Sequence, residues 1–153
     1  MARTPNFHSC DLRKGRVSLA KHVYLVTTIT HDRRRFFEDF RCSRLLCCAM
    51  KYEAVHARTL AYVIMPDHLH WLFQLRTDME LQTLLQRIKS TSAHRINRYL
   101  GRSGPVWQQG FHDHAIRSEE DLRARARYVV ANPLRAGLVA SLRDYPRWDA
   151  IWL

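Results

Sequence analysis

Two histidines separated by one leucine lie inside the apolar stretch "LAYVIMPDHLHWLFQL". A histidine buried without a partner costs free energy, so His68 and His70 need either a function or hydrogen-bonding partners. If residues 68–75 form a strand, its side chains alternate and both imidazoles lie on one face. Two imidazoles so placed can hold one side of a metal ion and leave its other positions open for further ligands and substrate oxygens. The spacing alone is a weak signal, and a pair of hydrogen-bonded core histidines explains it as well.

A second histidine pair has the same spacing. His112 and His114 flank an aspartate in "FHDHAIR", a segment that also has the composition of a strand. Residue pattern alone does not choose between the two pairs as metal ligands.

Tyr128 is the candidate nucleophile. Three arginines lie within the five residues that precede it, and a cationic environment favours the phenolate form that attack on phosphorus requires. Asn132 follows one helical turn later and can present its amide oxygen to a metal. The alternative is structural: Tyr128 is then an amphipathic core residue, and Asn132 caps a short helix that begins at Pro133.

The charge of the chain indicates a nucleic-acid partner. Lys and Arg total 25 against 14 acidic residues among 153, a formal net charge of +11, and 21 of the 25 bases are arginine. Arginine binds phosphate oxygens and stacks on bases, although an arginine-rich proteome would produce the same bias. No secretory signal, membrane-length apolar run or CxxC pair is present, so we expect one domain over residues 1–153, acting in the reducing cytoplasm without a membrane.

The pattern of apolar residues predicts seven elements. We expect strands at 22–31, 59–66, 68–75 and 106–117, with a tight turn at Pro66-Asp67 between the second and third. Helices are expected from Phe36 to about His56, over 79–100 with Asp78 as its cap, and from Ser118 until Pro133 forces a kink or restart. The order β-α-β-β-α-β-α predicts an α+β, ferredoxin-like sandwich with a mostly antiparallel sheet. The aromatic tail "DYPRWDAIWL" should dock on this body.

Several separated motifs, taken in order, resemble those of a known family. The segments "YVIMPDHLHWLFQL", "VWQQGFHDHAIRSEEDLRARARYVVANPLRAGLV" and "YPRWDAIWL" are similar to those of the REP-associated tyrosine transposases, relatives of the single-tyrosine HUH transposases of bacterial insertion sequences. The resemblance runs from "GRVSLAKHVYLVTTITHDR" to the C-terminus. It implies an HUH endonuclease fold in which His68 and His70 ligate the metal and Tyr128 is the nucleophile. Insertion-sequence relatives carry a glutamine as third ligand where this chain has Asn132.

The same resemblance implies an activity and a partner. Family members act on single-stranded DNA around a palindromic hairpin, the repetitive extragenic palindrome, and cut and rejoin it through a 5′-phosphotyrosine with Mg2+ or Mn2+. Stacking platforms and a basic groove hold single strands. Candidates for DNA contact are Trp107, Gln108, Phe111, Arg87, Arg95 and Arg98, with core packing as the equal alternative for the two aromatic rings.

Three alternatives stay open at this stage. An HUH replication initiator or relaxase often carries a second tyrosine one turn away, but positions 124 and 132 are Ala and Asn here. A catalytically idle protein that binds DNA hairpins would tolerate Tyr128→Phe. A metal-dependent hydrolase would release free phosphate ends. The target sequence, a monomeric or homodimeric state, and whether Tyr128 serves its own subunit are not fixed by the sequence.

Overall fold

Residues 22–150 are described by a computed structural model and form one five-stranded antiparallel sheet. The strands are β1 (Val23–Ile29), β2 (Ala57–Met65), β3 (His68–Leu75), β4 (His112–Ile116) and β5 (Trp148–Ala150). Their spatial order is β4-β1-β3-β2-β5, so β3 is the central strand. The first four strands have the ferredoxin-like order, which confirms the predicted fold class.

Within the described residues, four α-helices accompany the sheet. They are α1 (Phe40–Tyr52), α2 (Leu81–Leu100), α3 (Glu119–Val130) and the single-turn α4 (Asn132–Arg135). Helices α1 and α2 cover one face of the sheet, where Trp71 and Phe73 of β3 pack with Leu46 and Leu85 in the largest apolar cluster. Alternation along β3 therefore buries Leu69, Trp71, Phe73 and Leu75 as predicted. Among the described residues, no helix has both the length and the apolar character needed to cross a bilayer.

The other face of β3 carries His68, His70 and Leu72, and we call it the histidine face. Helix α3 packs on it: Ala126 and Val130 form a buried cluster with Leu72 and with residues of β2. Both faces of the central strands are thus covered, and the helix that carries Tyr128 lies on the same side of the sheet as the two histidines.

The tight turn between β2 and β3 is held from the side. Met65 pairs with His68, leaving Pro66 and Asp67 as the loop predicted from the sequence. Thr30, directly after β1, holds this loop: its backbone N–H donates to the Asp67 carbonyl oxygen at 2.9 Å, and its hydroxyl lies 2.7 Å from the carbonyl oxygen of Arg34 and 3.1 Å from that of Asp67. The start of the histidine strand is therefore fixed by backbone contacts.

Two predicted helix starts are wrong. The first helix begins at Phe40, since residues Phe36–Glu38 form a 3-10 turn and the Asp39 side chain accepts the N–H of Arg41. The second begins at Leu81 with Glu80, rather than Asp78, at the cap position and without a side-chain capping bond. In both cases two acidic residues precede the true start, Glu38 and Asp39 in the first helix and Asp78 and Glu80 in the second, and periodicity does not select between them.

The fourth predicted strand is shorter than expected. It begins at His112 rather than 106, because Trp107 forms only an isolated bridge to Thr30 and Gly110 adopts a positive φ of 77°. Starting at Ser118, the next helix is as predicted: the Ser118 hydroxyl accepts the N–H of Asp121 at 3.1 Å. The predicted interruption at Pro133 is confirmed by the separate turn α4.

The tail docks as predicted, with an addition that the pattern did not show. Tyr145 is buried and donates its hydroxyl to the carbonyl of Ile64, and Trp148–Ala150 add a fifth strand to the edge of β2. Residues 151–153 of the aromatic tail, like residues 1–21, lie outside the described part.

Candidate active site

The imidazoles of His68 and His70 lie side by side on the histidine face. Their ring centroids are 4.8 Å apart and the rings are nearly perpendicular, at 84°. Both side chains are half-buried, so they are neither sealed in the core nor fully in water. The geometry is that expected for two residues separated by one on a strand.

The His68 ring is oriented by a carboxylate. Its Nδ1 lies 2.7 Å from Oδ1 of Asp67, and since a carboxylate only accepts, Nδ1 donates this bond and Nε2 is the ring nitrogen left for another partner. The other carboxylate oxygen of Asp67 faces Arg33 Nη1 at 3.3 Å. Burial alone would raise the pKa of Asp67, but the hydrogen bonds and charges of His68 and Arg33 outweigh it and lower that pKa. Asp67 is therefore an anion that fixes the ring.

The His70 ring is oriented by the neighbouring strand. Its Nδ1 lies 2.8 Å from the hydroxyl of Thr27, which is its register partner on β1. Burial, with smaller contributions from the charges of His68 and Arg135, lowers the pKa of His70 to about 4. The imidazole is thus neutral at physiological pH, which is the form that binds a metal.

These two residues fit half of a metal site. In each ring Nδ1 has a hydrogen-bonding partner, the arrangement by which metal-binding histidines are usually oriented while Nε2 faces the ion. Within residues 22–150, no group of three or more His, Cys, Asp and Glu side chains could hold a metal ion. Further ligands would have to be of another type, such as the amide oxygen of Asn132 or oxygens of the substrate.

Tyr128 is exposed on α3 and does not belong to the core. Its side chain is 51% exposed, whereas Ala126, Val129 and Val130 on the same helix are buried against the sheet. The guanidinium carbon of Arg135 lies 3.6 Å from the centroid of the Tyr128 ring. Two of the arginines predicted to lie near Tyr128 instead form ion pairs with acids in the first turn of α3. Arg123 lies 3.8 Å from Glu119, and Arg125 lies 3.5 Å from Asp121. The cation at the tyrosine is Arg135.

Asn132 directs its amide nitrogen toward the end of α3. Nδ2 lies 3.1 Å from the carbonyl oxygen of Val129 and 3.5 Å from that of Tyr128. Carbonyl oxygens only accept, so the group facing them is the NH2 and the amide oxygen points elsewhere. The Asn132 side chain thereby joins α3 to α4. Its amide oxygen, the atom that could ligate a metal, takes no part in these two bonds.

The competing pair occupies the edge of the sheet. His112 and His114 are exposed on β4, and their register partners on β1 are Thr27 and Leu25. Because Thr27 also pairs with His70, His112 lies on the histidine face two strands away from His70, about 10 Å between Cα atoms. Only the pair at 68 and 70 is half-buried and held by hydrogen bonds beside the tyrosine helix.

The arginines predicted to contact DNA do not gather at this site. Arg87, Arg95 and Arg98 lie on α2, which covers the face opposite to the histidines. The Arg87 Nε donates to Glu53 at 2.9 Å, and Arg95 stacks on Tyr52 with 4.8 Å between its guanidinium carbon and the ring centroid. Arg98 is exposed. Any contact of these residues with DNA would be made on a separate surface.

We expect Arg87→Ala to destabilise the fold. The Glu53 carboxylate is buried and would lose its cation, but the Arg87 side chain is 53% exposed and solvent screens the pair. The free energy of unfolding should therefore fall by about 1–2 kcal/mol in urea titrations. Arg98→Ala removes the same charge from an exposed position of the same helix and should change it by less than about 0.5 kcal/mol. Equal stability of the two variants would contradict the structural role of Arg87.

The two aromatic rings proposed as stacking platforms are core residues in this structure. Trp107 and Phe111 are each 7% exposed and belong to the apolar cluster under α1 and α2. The Trp107 indole donates to the buried hydroxyl of Ser92 at 2.9 Å, which explains the serine in the apolar stripe of α2. As arranged here, neither ring offers a face to a base. Gln108 is exposed, and its backbone pairs with Ile29.

Sequence reasoning missed three residues of this site: Asp67, Thr27 and Arg135. The signal for Asp67 was its position next to His68 in a two-residue turn, from which its carboxylate can reach back. Thr27 is polar at the histidine-face position of β1, but only the register shows its contact with His70. Arg135 follows the proline at which the helix was predicted to break. Helical periodicity therefore did not predict its contact with Tyr128.

A histidine pair on the central strand of a ferredoxin-like sheet, with a tyrosine helix on the same face, is the arrangement expected of an HUH-type transposase. The profile of the family described as transposase IS200 like matches residues 18–132, which is well over half of the chain. The chain belongs to the IS200-like transposase family.

Similar proteins carry descriptions from the same family. A protein of Haemophilus influenzae, provisionally described as a REP-associated tyrosine transposase, is 28% identical over 139 residues, covering 81% of this chain and 77% of its own length. The REP-associated tyrosine transposase of Escherichia coli K12 is 30% identical over 87 residues, or 56% of this chain and 50% of that protein.

Two solved structures share the fold. A REP-associated tyrosine transposase bound to a REP hairpin superposes with a TM-score of 0.72 at 24% identity, covering 87% of this chain and 79% of that one. A Deinococcus radiodurans protein provisionally described as a transposase gives a TM-score of 0.51 at 19% identity, covering 78% and 96%. At these identities the likeness is one of fold.

Proposed function

We propose that this protein cuts and rejoins single-stranded DNA beside palindromic hairpins, using Tyr128 as a covalent nucleophile. The observation that carries the proposal is the placement of the tyrosine helix and the His68–His70 pair on one face of the same sheet, with Arg135 in contact with the tyrosine ring and within electrostatic reach of His70. The relative that was solved with a REP hairpin supports the choice of substrate.

The reaction is an exchange of one phosphate ester for another. Tyr128 gives up its phenolic proton and its oxygen attacks the scissile phosphorus in line. The bond from phosphorus to the 3′-oxygen breaks, and that oxygen leaves with a proton as a free 3′-hydroxyl. The 5′-phosphate of the downstream fragment is then esterified to Tyr128. A 3′-hydroxyl attacking this phosphotyrosine restores a phosphodiester, so the strand is rejoined without a further energy source.

The metal ligands in this proposal are His68 and His70, with Asn132 able to add its amide oxygen. Asp67 and Thr27 each contact the Nδ1 atom of one ring, so Nε2 is the nitrogen that each ring would offer to an ion. An ion bound there would polarise a non-bridging oxygen of the scissile phosphate as a Lewis acid. Mg2+ prefers oxygen ligands and Mn2+ accepts imidazole more readily, so we expect both to support activity.

Tyr128 serves the site of its own chain in this proposal. Helix α3 packs on the histidine face of its own sheet through Ala126, Val129 and Val130. A monomer would then contain a complete set of residues. The net charge of +11 supplies the attraction to the DNA backbone.

Labelled oligonucleotides test the proposal directly. The full-length protein is incubated with a hairpin oligonucleotide and Mg2+ or Mn2+, and the products are separated on a denaturing gel. A 3′-label should migrate with the protein, because the downstream fragment carries the phosphotyrosine, whereas a 5′-label should appear in a shorter free strand. Peptide mapping of the adduct should locate the linkage at Tyr128.

Other outcomes would replace the proposal. Cleavage with free 5′-phosphate ends and no adduct would make the protein a hydrolase. A native-gel shift with uncut DNA, under both metals and with several hairpin sequences, would make it a binding protein without this activity.

A further inference from the structure

Arg135 contacts the candidate nucleophile more closely than any other arginine contacts an aromatic ring in residues 22–150. The guanidinium carbon is 3.6 Å from the Tyr128 centroid, whereas the other arginine–aromatic pairs in that range are 4.8–6.0 Å apart. A separation of 3.6 Å means that the guanidinium stacks on the face of the ring. Such a stack restricts the tyrosine ring, which is otherwise half exposed to solvent.

The break in the helix brings Arg135 to this position. Arg135 follows Tyr128 by seven residues, and in one straight helix their Cα atoms would be about 10 Å apart along the axis. Here α3 ends at Val130 and α4 restarts with Pro133 in its first turn, held by the bond from the Asn132 amide to the Val129 carbonyl oxygen. Helical side chains lean toward the N-terminus, so the Arg135 side chain extends back toward the end of α3.

The charge of Arg135 is not neutralised by a neighbouring acid. Within the described part of the chain it forms no ion pair, whereas Arg123 and Arg125 on α3 pair with Glu119 and Asp121. One uncompensated cation therefore lies directly against the ring of Tyr128.

We infer that Arg135 is a positioning residue for the Tyr128 nucleophile, and this inference rests on the proposed function. Its guanidinium, stacked on the phenol ring, holds that ring in one orientation at the end of α3 and provides positive charge where the phenolate meets the scissile phosphate. Removing it should leave the DNA bound but slow the chemical step.

The test is the single-turnover rate of adduct formation on the 3′-labelled hairpin oligonucleotide. Arg135→Gln removes the charge and keeps a polar side chain, and we expect the rate to fall about 10- to 100-fold, since a cation stacked on an exposed ring is worth roughly two- to fivefold and a preorganised donor up to about 10²- to 10³-fold. Arg135→Lys keeps the charge but not the planar stack and should recover part of the loss. The apparent affinity for uncut oligonucleotide should change by less than about threefold, because one phosphate contact at most is involved.

Arg76→Ala is the matched control. Arg76 follows β3 at the end opposite to His68, about 25 Å along the strand, so this variant loses one positive charge far from the tyrosine. Its adduct rate should equal that of the unaltered protein. Thermal unfolding of each variant checks that the fold is retained, and the comparison of Arg135→Lys with Arg135→Gln does not depend on a truncated side chain.

Each result has a defined meaning. A wild-type rate in Arg135→Gln, or a loss confined to DNA affinity, overturns the positioning role while the proposed function stands. Equal loss in the lysine and glutamine variants overturns the role of the charge. Absence of an adduct with the unaltered protein refutes the proposed function itself and this inference with it.

Discussion

Tyr128→Phe protein is expected to form no covalent complex with hairpin DNA, a loss of more than about 10⁴-fold relative to the unaltered chain. Phenylalanine lacks the oxygen that attacks phosphorus but keeps the ring on which Arg135 stacks. Since the Tyr128 side chain is 51% exposed, the free energy of unfolding should change by no more than about 0.5 kcal/mol. The measurements are the denaturing gel with 3′-labelled DNA and a binding titration with uncut DNA, which should be nearly unchanged.

Tyr52→Phe is the control for this substitution. Tyr52 is 63% exposed on α1, on the opposite side of the sheet, and also has an arginine beside its ring, with the Arg95 guanidinium carbon 4.8 Å from the centroid. Its adduct yield should match that of the unaltered protein. An adduct that persists in Tyr128→Phe and maps to another residue would show that the nucleophile was assigned incorrectly.

His68→Ala and His70→Ala should each reduce adduct formation by at least about 10³-fold. Either change removes one of the two imidazoles that the proposal assigns to the metal, and the charge stabilisation lost is several kcal/mol, at 1.4 kcal/mol per factor of ten. Calorimetric titration with Mn2+ in the presence of DNA should show the matching loss of metal affinity. This second readout separates a missing ligand from a general loss of activity.

His112→Ala provides the matched control on the same face of the sheet. His112 is exposed on β4 with Thr27 between it and His70, and its removal should leave the adduct intact. The reverse pattern, with activity lost in His112→Ala and retained in His70→Ala, would assign the metal to the edge strand.

A mixture of two inactive variants tests whose tyrosine is used. Tyr128→Phe supplies intact histidines, and His70→Ala supplies an intact tyrosine. If each site uses the helix packed on its own sheet, the mixture should give no adduct. Recovery of the adduct on mixing would mean that two chains exchange their tyrosine helices.

The histidine strand was the most predictable part of the molecule. Local information determines it: a proline and an aspartate form the turn, and period-two alternation assigns His68 and His70 to one face and Trp71 and Phe73 to the other. The helix start at Ser118 was also predictable from local sequence, because the Ser118 hydroxyl accepts the backbone N–H of Asp121, only three residues later. These features can be predicted from the sequence because the residues that determine them are close together in the chain.

The features that could not be predicted depend on distant parts of the chain. The contact of Thr27 with His70 spans 43 residues and follows only from strand register. Trp107 could have been a stacking platform or a core residue, and the buried Ser92 hydroxyl that decides the matter lies 15 residues earlier on another element. The stack of Arg135 on Tyr128 depends on how α4 restarts at Asn132 after α3 ends at Val130. Sequence periodicity carries none of this information.

The fifth strand has a consequence for the order of folding. Its partner β2 lies almost ninety positions earlier, and Tyr145 anchors to the Ile64 carbonyl across 81 residues. Pairings this remote carry a high loop-closure entropy and form late. Until they form, the outer edge of β2 exposes unpaired backbone groups that can recruit another strand. During synthesis, a chain that has already made its histidine strand and its tyrosine helix therefore still exposes the edge of β2, and the three-residue strand β5 then covers Ala61–Val63 and replaces that edge with a shorter one.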